Sequence, residues 1–427
     1  MQNTKETAKK ACLISLGCKV NKYEIECMAN ILSQNGWDVT LKQEPADLYV
    51  VNTCAVTNEG EKKSRQFIAK LSKLNPNAKI VVCGCASQNN LEQFKKPNVI
   101  SIIGNEGKEN ILDLIKVPTV KHFEFPTEFN EKINSPIKSK TRAYIKVQDG
   151  CNNFCSYCLI PYVRGRSRSR KLECVINEAK QLAKHSAEIV VTGIDLSSYK
   201  INGNLALGEL IYALRDLPCR IRLGSLEVNV VTKQFMEKLA ATPNFCPQFH
   251  LSLQSGCNAT LKRMNRHYTT AEYLSKVELI RSYFPTANIT TDVIVGFVGE
   301  TDEEFNETKQ TCLSAKFGGM HIFPYSKREG TVACKMTEPI PNGTIAKQRV
   351  DELCKIREEL SNNFYNGLVG LTFNMLVEEM EENYYVGFTE NYVKVYVLEP
   401  LTENQIVKVK LVKPFKAGMM AEVVKES

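Results

Sequence analysis

Short apolar runs recur over the first hundred residues, at 12–16, 48–51, 80–83 and 99–103, and helical patterns such as 59–74 separate them. Runs of four to six apolar residues alternating with amphipathic helices predict an α/β unit built on a doubly wound parallel sheet. Ligands of such sheets gather at the carboxyl ends of the strands. Cys18, Cys54 and Cys85 each follow one of the first three runs, within Leu-Gly-Cys-Lys, Asn-Thr-Cys-Ala and Cys-Gly-Cys-Ala, so three thiols are expected along one edge.

The pattern then lapses. Residues 122–140 are rich in Pro, Ser, Lys and Glu without a clear period and read as a linker, with a second domain beginning near Ile137. Strand candidates follow at 143–147, 188–192, 220–223, 249–253, 289–295 and 319–323, with helical segments between them. Six β/α units predict a partial (β/α)6 barrel whose site lies at the carboxyl ends of its strands. From about Leu368 short alternating runs take over, at 373–378, 384–388, 392–397 and 405–412, which predicts a small terminal β-barrel. The expected division is therefore 1–121, linker 122–136, 137–367 and 368–427.

Composition narrows the class. A hydrophobic share of 43% and a charged share of 24% are those of an ordinary globular protein, and a net charge of +8 tilts it only weakly toward polyanions. Lys5, Lys9 and Lys10 before an apolar stretch and Cys18 imitate a lipoprotein signal. That stretch is short, however, Lys19 and Lys22 follow at once, and no run of about 18 apolar residues appears later. The expectation is a cytoplasmic protein without membrane attachment. In a reducing compartment its sixteen cysteines are metal ligands or free thiols before they are disulfides.

The densest signal is Cys151-Asn-Asn-Phe-Cys155-Ser-Tyr-Cys158, directly after the first barrel strand. Three thiolates leave one iron of a 4Fe-4S cluster without a protein ligand, unless a distant cysteine completes it. Zinc would call for a fourth Cys or His close by, and none follows Cys158. The spacing matches the radical S-adenosylmethionine (SAM) signature, in which SAM chelates the open iron and is cleaved to a 5'-deoxyadenosyl radical.

From about residue 11 onward the chain resembles the radical SAM methylthiotransferases, and within them the bacterial branch acting on N6-threonylcarbamoyladenosine in tRNA. The resemblance rests on Ser15-Leu-Gly-Cys-Lys-Val-Asn21, Asn52-Thr-Cys-Ala-Val-Thr57 with Lys63-Ser-Arg65, Gly84-Cys85, Pro161-Tyr-Val-Arg-Gly165, Leu253-Gln-Ser-Gly256, Arg263-Met-Asn-Arg266 and Phe323-Pro-Tyr-Ser326 with Arg328, Gly330 and Thr331. Where the isopentenyladenosine branch usually has Gln-Met-Asn and the ribosomal-protein branch Pro-Lys-Asn, this chain has Lys19, Val20 and Asn21. One departure is Val298 in place of the proline of the family's Gly-Phe-Pro-Gly-Glu turn, which implies a less rigid turn.

The resemblance implies a second 4Fe-4S cluster on Cys18, Cys54 and Cys85, a TRAM-like RNA-binding module at the C-terminus and a tRNA anticodon stem-loop as partner. It also implies an electron donor and a sulfur source; the chain itself is expected to be a monomer. Cys83, two residues before Cys85, is expected to be an apolar filler. Candidates for holding SAM sit at strand ends: Thr192, Gly193 and Asp195, then Ser225 and Glu227, then Gln254 and Ser255, with Asp292 in the fifth strand. Arg164, Arg166, Arg168, Arg170 and Lys171 form a basic run beside the cysteine loop that is expected to meet RNA phosphates. His321 is expected to be a hydrogen-bonded strand residue. Three other readings are weaker. They are the sister substrates, a cobalamin-dependent methylase, for which no Asp-x-His-x-x-Gly loop is present, and a non-catalytic RNA-binding iron-sulfur scaffold.

Overall fold

The computed structural model describes residues 8–129 and 141–425. The part of the expected linker from 130 on, and the domain start near Ile137, lie outside them; 122–129 form neither helix nor strand. The N-terminal sheet comprises β1 (Lys10–Ser15), β2 (Asp38–Thr40), β3 (Leu48–Thr53), β4 (Lys79–Gly84), β5 (Val99–Ile103) and β6 (Val120–Lys121), all parallel, in the order β2-β1-β3-β4-β5-β6. Every residue of β3 is buried, as expected of a parallel strand covered on both faces. Tyr49, Val51, Ile80 and Val82 face helix α2 (Asn58–Leu74), and Leu13, Leu48, Val50 and Val81 face helix α1 (Lys19–Gln34). The strand order turns back between β1 and β3. A crevice at the carboxyl ends of these strands is the place a doubly wound sheet offers a ligand.

The second unit holds six parallel strands in sequence order: β7 (Arg142–Asp149), β8 (Glu188–Gly193), β9 (Arg220–Leu223), β10 (Gln248–Leu251), β11 (Asn288–Val295) and β12 (Gly319–Pro324). A short continuation of β9 pairs Ser225 with His250 and Leu226 with Leu251, carrying the curved sheet from β9 to β10. Among the described residues no pairing joins β7 to β12, so the barrel is open on that side. Its wall is filled by one apolar core, including Ile145, Val191, Phe249 and Val293.

The C-terminal unit is a closed barrel of β13 (Thr372–Glu381), β14 (Tyr384–Thr389), β15 (Lys394–Val397), β16 (Ile406–Phe415) and β17 (Gly418–Val423), in the order β13-β14-β15-β17-β16. The sequence pattern supplies four of these strands. The fifth, Gly-Met-Met-Ala-Glu-Val, starts with a glycine and follows a tight turn, which hid it. Among the described residues no helix is long and apolar enough to cross a membrane.

Buried charge fastens the C-terminal barrel to the amino ends of β7, β8 and β9. Glu188 is inaccessible to solvent and receives Arg142 Nε at 2.5 Å, Arg220 Nη2 at 2.7 Å and Arg222 Nη2 at 2.8 Å. The same guanidiniums reach across to Glu378 (2.5 Å) and to the carbonyls of Asn374 (3.0 Å) and Glu390 (3.0 Å). Burial alone would raise the Glu188 carboxyl, but Arg222, Arg220 and Arg142 together hold it far below the carboxylate range. Glu188→Gln leaves these cations without their central anion. It is expected to cost about 3–5 kcal/mol, read as a fall in the denaturation midpoint and as early proteolytic release of the segment after 368.

Candidate functional site

Cys18 lies in the loop after β1, Cys54 after β3, and Cys85 opens the short helix α3 (Cys85–Asn89) directly after β4. Side chains latch these turns together. Asn21 Nδ2 donates to the carbonyls of Leu16 (2.7 Å) and Thr53 (3.1 Å), and Thr53 Oγ1 donates to Cys83 O (2.7 Å) while accepting from Ser87 N (3.2 Å). Gly17 has φ +97°, and a Cβ there would stand 2.6 Å from Cys54 Sγ. Only glycine lets the two cysteine turns approach so closely.

The second trio sits in the loop after β7. Gly150, with φ +69°, lets the chain pass the Arg166 carbonyl, and Cys151 N donates to Gly165 O at 3.1 Å. The loop is held from below by the turn at 263–266: Ser156 N donates to Met264 O (3.0 Å), Ser156 Oγ to Arg263 O (2.8 Å) and Asn265 Nδ2 to Phe154 O (2.9 Å). Arg266 Nη1 donates to Cys155 Sγ at 3.2 Å and its Nη2 is paired with Glu227.

Arg164 joins the two trios. It is fully buried, with Nε donating to Cys85 Sγ at 3.1 Å, Nη1 to Glu24 Oε1 at 2.8 Å and Asp149 Oδ1 at 3.2 Å, and Nη2 to Asn21 Oδ1 at 2.8 Å. One side chain thus touches the Cys85 thiol, the helix that follows Cys18 and the strand that leads into Cys151. Asn105 repeats the connection, donating to Cys85 Sγ (3.5 Å) and to Val163 O (2.6 Å). Arg328, 3% exposed, lies close enough to feel both Cys54 and Cys158. It is anchored on Glu61 Oε2 at 2.9 Å, and its Nη1 has no hydrogen-bond partner among the described residues.

Burial pushes the Cys54 thiol up to about 11 and the Cys151 and Cys158 thiols up to about 12, and raises Cys18. Neighbouring thiols add to the effect, and Cys85 acts on Cys158 across the two sets. Such thiols stay protonated until a metal takes the proton's place. Cys83 is fully buried in the core beneath α1, where burial raises its thiol to about 12, so it packs on the face away from Cys85.

The strand-end candidates divide. Asp195 Oδ2 lies 3.8 Å from Cys151 Sγ and 3.3 Å from Asn153 Nδ2; burial, and then Glu227, raise its carboxyl to about 6. Ser225 and Asp292 line the lumen of the open barrel, and Gln254 takes a left-handed φ of 67° beside Asp292, donating its N–H to Asp292 O at 2.9 Å. Thr192 is buried. Gly193 makes room for Gln148, whose Oε1 would lie 2.9 Å from a Cβ there and accepts Asp195 N at 2.7 Å. Ser255 is fully buried and bonded to Thr308 and Cys257 N.

The basic run is corrected by the fold. Arg164, Arg168 and Arg170 turn inward: Arg168 pairs with Glu106 (2.5 Å) and Asp149 (3.3 Å), and Arg170 with Glu178. Buried carboxylates on neighbouring elements claim these guanidiniums, which leaves Arg166 and Lys171 as the exposed cations of the run. His321 is also corrected: it is exposed in the lumen, and neither of its ring nitrogens has a hydrogen-bond partner among the described residues. Arg266 and Arg328 stood inside quoted motifs without an assigned contact. Glu24 and Asn105 carried no local signal.

Comparison with known proteins gives two family matches, the Uncharacterized protein family UPF0004 over residues 10–104 and the Radical SAM superfamily over residues 145–312. The chain is 36% identical over 438 residues to the threonylcarbamoyladenosine tRNA methylthiotransferase MtaB of Bacillus subtilis, covering 96% of each chain. It is 37% identical over 389 residues to the protein of that name from Thermotoga maritima, covering 89% of each. It is 33% identical over 389 residues to a tRNA-2-methylthio-N(6)-dimethylallyladenosine synthase of Pelotomaculum thermopropionicum, covering 87% of each. Among solved structures, the radical SAM methyltransferase TsrM of Kitasatospora setae superposes with a TM-score of 0.53 at 16% identity, over 74% of this chain and 75% of that one, a likeness of fold.

Glu24 also receives Lys108 (2.5 Å) and Lys146 (2.9 Å). Burial alone would raise its carboxyl, but Arg164, Lys108 and Lys146 hold it well below the ordinary value. A depressed carboxyl stabilises the fold fully above its unfolded value, and that contribution fades as pH falls through and below the carboxylate range. Glu24→Gln is expected to cost about 3–5 kcal/mol at neutral pH and to flatten the acid limb of a stability-versus-pH curve, both read by denaturant titration.

Proposed function

Because the chain belongs to the radical SAM methylthiotransferases, we propose that it converts N6-threonylcarbamoyladenosine 37 of tRNA, beside the anticodon, to its 2-methylthio form. The observation that carries this reading is one buried guanidinium, Arg164, that bonds the Cys85 thiol of one trio and Asp149, two residues before Cys151 of the other. Cys151, Cys155 and Cys158 would hold the 4Fe-4S cluster that binds SAM, and Cys18, Cys54 and Cys85 a second one. The first cluster with SAM supplies a 5'-deoxyadenosyl radical, and SAM also supplies the methyl group.

The donor sets suit such guests. Each trio offers three thiols at one loop or strand edge, with the Asp195 carboxylate beside Cys151, and Gly17 leaves room beside Cys54 that any side chain would fill. Arg266 and Arg164 each give one N–H to a ligand sulfur, which balances the negative charge that a thiolate cluster gathers. Asp195, beside Cys151, is placed to receive the SAM amino group, and the orphan Nη1 of Arg328 to donate to an anion between the trios. An anticodon loop suits the open barrel because its bases are unstacked and can be drawn inward. Arg166 and Lys171 remain on the surface to meet its phosphates. An electron donor and a sulfur source complete the reaction, in the cytoplasm where the tRNA is.

Cys155→Ala is expected to abolish formation of 5'-deoxyadenosine; cleavage retained with full iron content refutes the cluster assignment. Cys54→Ala is expected to lose roughly half the iron and to keep SAM cleavage while the methylthio product disappears, as measured by mass spectrometry of tRNA nucleosides. The same nucleoside analysis on a deletion strain separates this substrate from isopentenyladenosine.

A further inference from the structure

The lumen of the open barrel is a cavity of about 980 Å³ running from Cys18 to the C-terminal barrel at Tyr392. That size accommodates a small molecule or a nucleoside arm. All six strands contribute to its wall, and the polar groups are not evenly satisfied. Arg142 and Arg222 are engaged by Glu188, Glu378 and backbone carbonyls. Lys19, adjacent to Cys18 and open to the cavity, makes no hydrogen bond or ion pair among the described residues.

A second unspent group faces the same space. His250 on β10, Asp292 on β11 and His321 on β12 bring their polar atoms within 4.8 Å of one another. Thr290 Oγ1 at 3.0 Å fixes His250 Nδ1, and His250 Nε2 meets Asp292 at 3.2 Å, which leaves His321 as the free member. A cation without an anion at one place, and an imidazole without a partner at another, call for a ligand that carries both a negative charge and neutral hydrogen-bonding groups.

Resting on the substrate reading above, we propose that this cavity receives the threonylcarbamoyl arm of the adenosine, with Lys19 pairing its carboxylate and His321 bonding its hydroxyl or urea group. Arm recognition then lies beside Cys18, so a base whose arm is seated is a base presented to the cysteine trios. The assignment makes Lys19 a specificity residue, reading the charge of the arm. An arm without a carboxylate leaves the ammonium unpaired at the cavity wall.

The test is direct binding, without turnover, of anticodon stem-loop RNA carrying threonylcarbamoyladenosine, its methyl ester or unmodified adenosine. The unchanged protein is expected to bind the acid more tightly than the ester. Lys19→Gln is expected to weaken the acid about ten- to a hundredfold, the range of a charge-assisted hydrogen bond, while the ester is bound as before. Lys19→Arg is expected to keep most of the preference, and His321→Phe to weaken acid and ester alike. Equal weakening of all three RNAs by Lys19→Gln, the mark of a phosphate contact, would overturn the proposal, as would an acid-over-ester preference that survives it. If the unchanged protein binds the threonylcarbamoyl RNA no better than the unmodified one, the substrate reading itself falls, and this assignment with it.

Discussion

A guanidinium with no access to water is the constraint on which this molecule turns. Burying Arg164 is costly unless each of its donors is met, and they are met from four directions: a thiol, two carboxylates and an amide. Its partners come from the N-terminal sheet unit and from the first strand of the open barrel, so satisfying the charge requires both units in register. Lys146, Lys108 and Arg168 extend the network through Glu24, Asp149 and Glu106. What a surface reading takes for a basic patch is the electrostatic joint of the enzyme.

The two cysteine trios are supported in the same way. In each, one sulfur accepts an N–H from a buried arginine, and that arginine is held by a carboxylate: Arg164 by Glu24 and Asp149, Arg266 by Glu227. Hydrogen bonds to ligand sulfurs are among the terms that set the potential of an iron-sulfur cluster. A carboxylate behind the donor fixes its direction as a second shell fixes a metal-bound histidine. At the N-terminal trio, the joint between the units and the support of the Cys85 sulfur are therefore made of the same residues.

Much of this was legible in the sequence. Parallel strands buried on both faces read as unbroken apolar runs, and all ten runs assigned to the two α/β units coincide with strands within a few residues. The cysteine sets were legible because ligands at strand ends and in a short loop leave a local mark. The partners of Arg164 were not, since Glu24 is 140 positions away in the chain and sits in an ordinary amphipathic helix. Basic residues alternating with small ones look alike whether they face phosphate or buried carboxylates, and only the fold separates Arg166 from Arg164 and Arg168. Ser255 and Gly193 sit at the expected strand ends, yet Ser255 is bonded to Thr308 and the Gln148 side chain fills the space beside Gly193. The last barrel strand escaped because closure, not alternation, defines it.

That closure has a meaning of its own. The final strand, β17, lies between β15 and β16, parallel to one and antiparallel to the other, and so seals the ring. A sheet closed in this way has no free edge to recruit a foreign chain. The face that Arg220 and Arg222 grip belongs to β13, β14 and the turn after β14, so the ring that seals the sheet also stiffens the surface these buried cations hold.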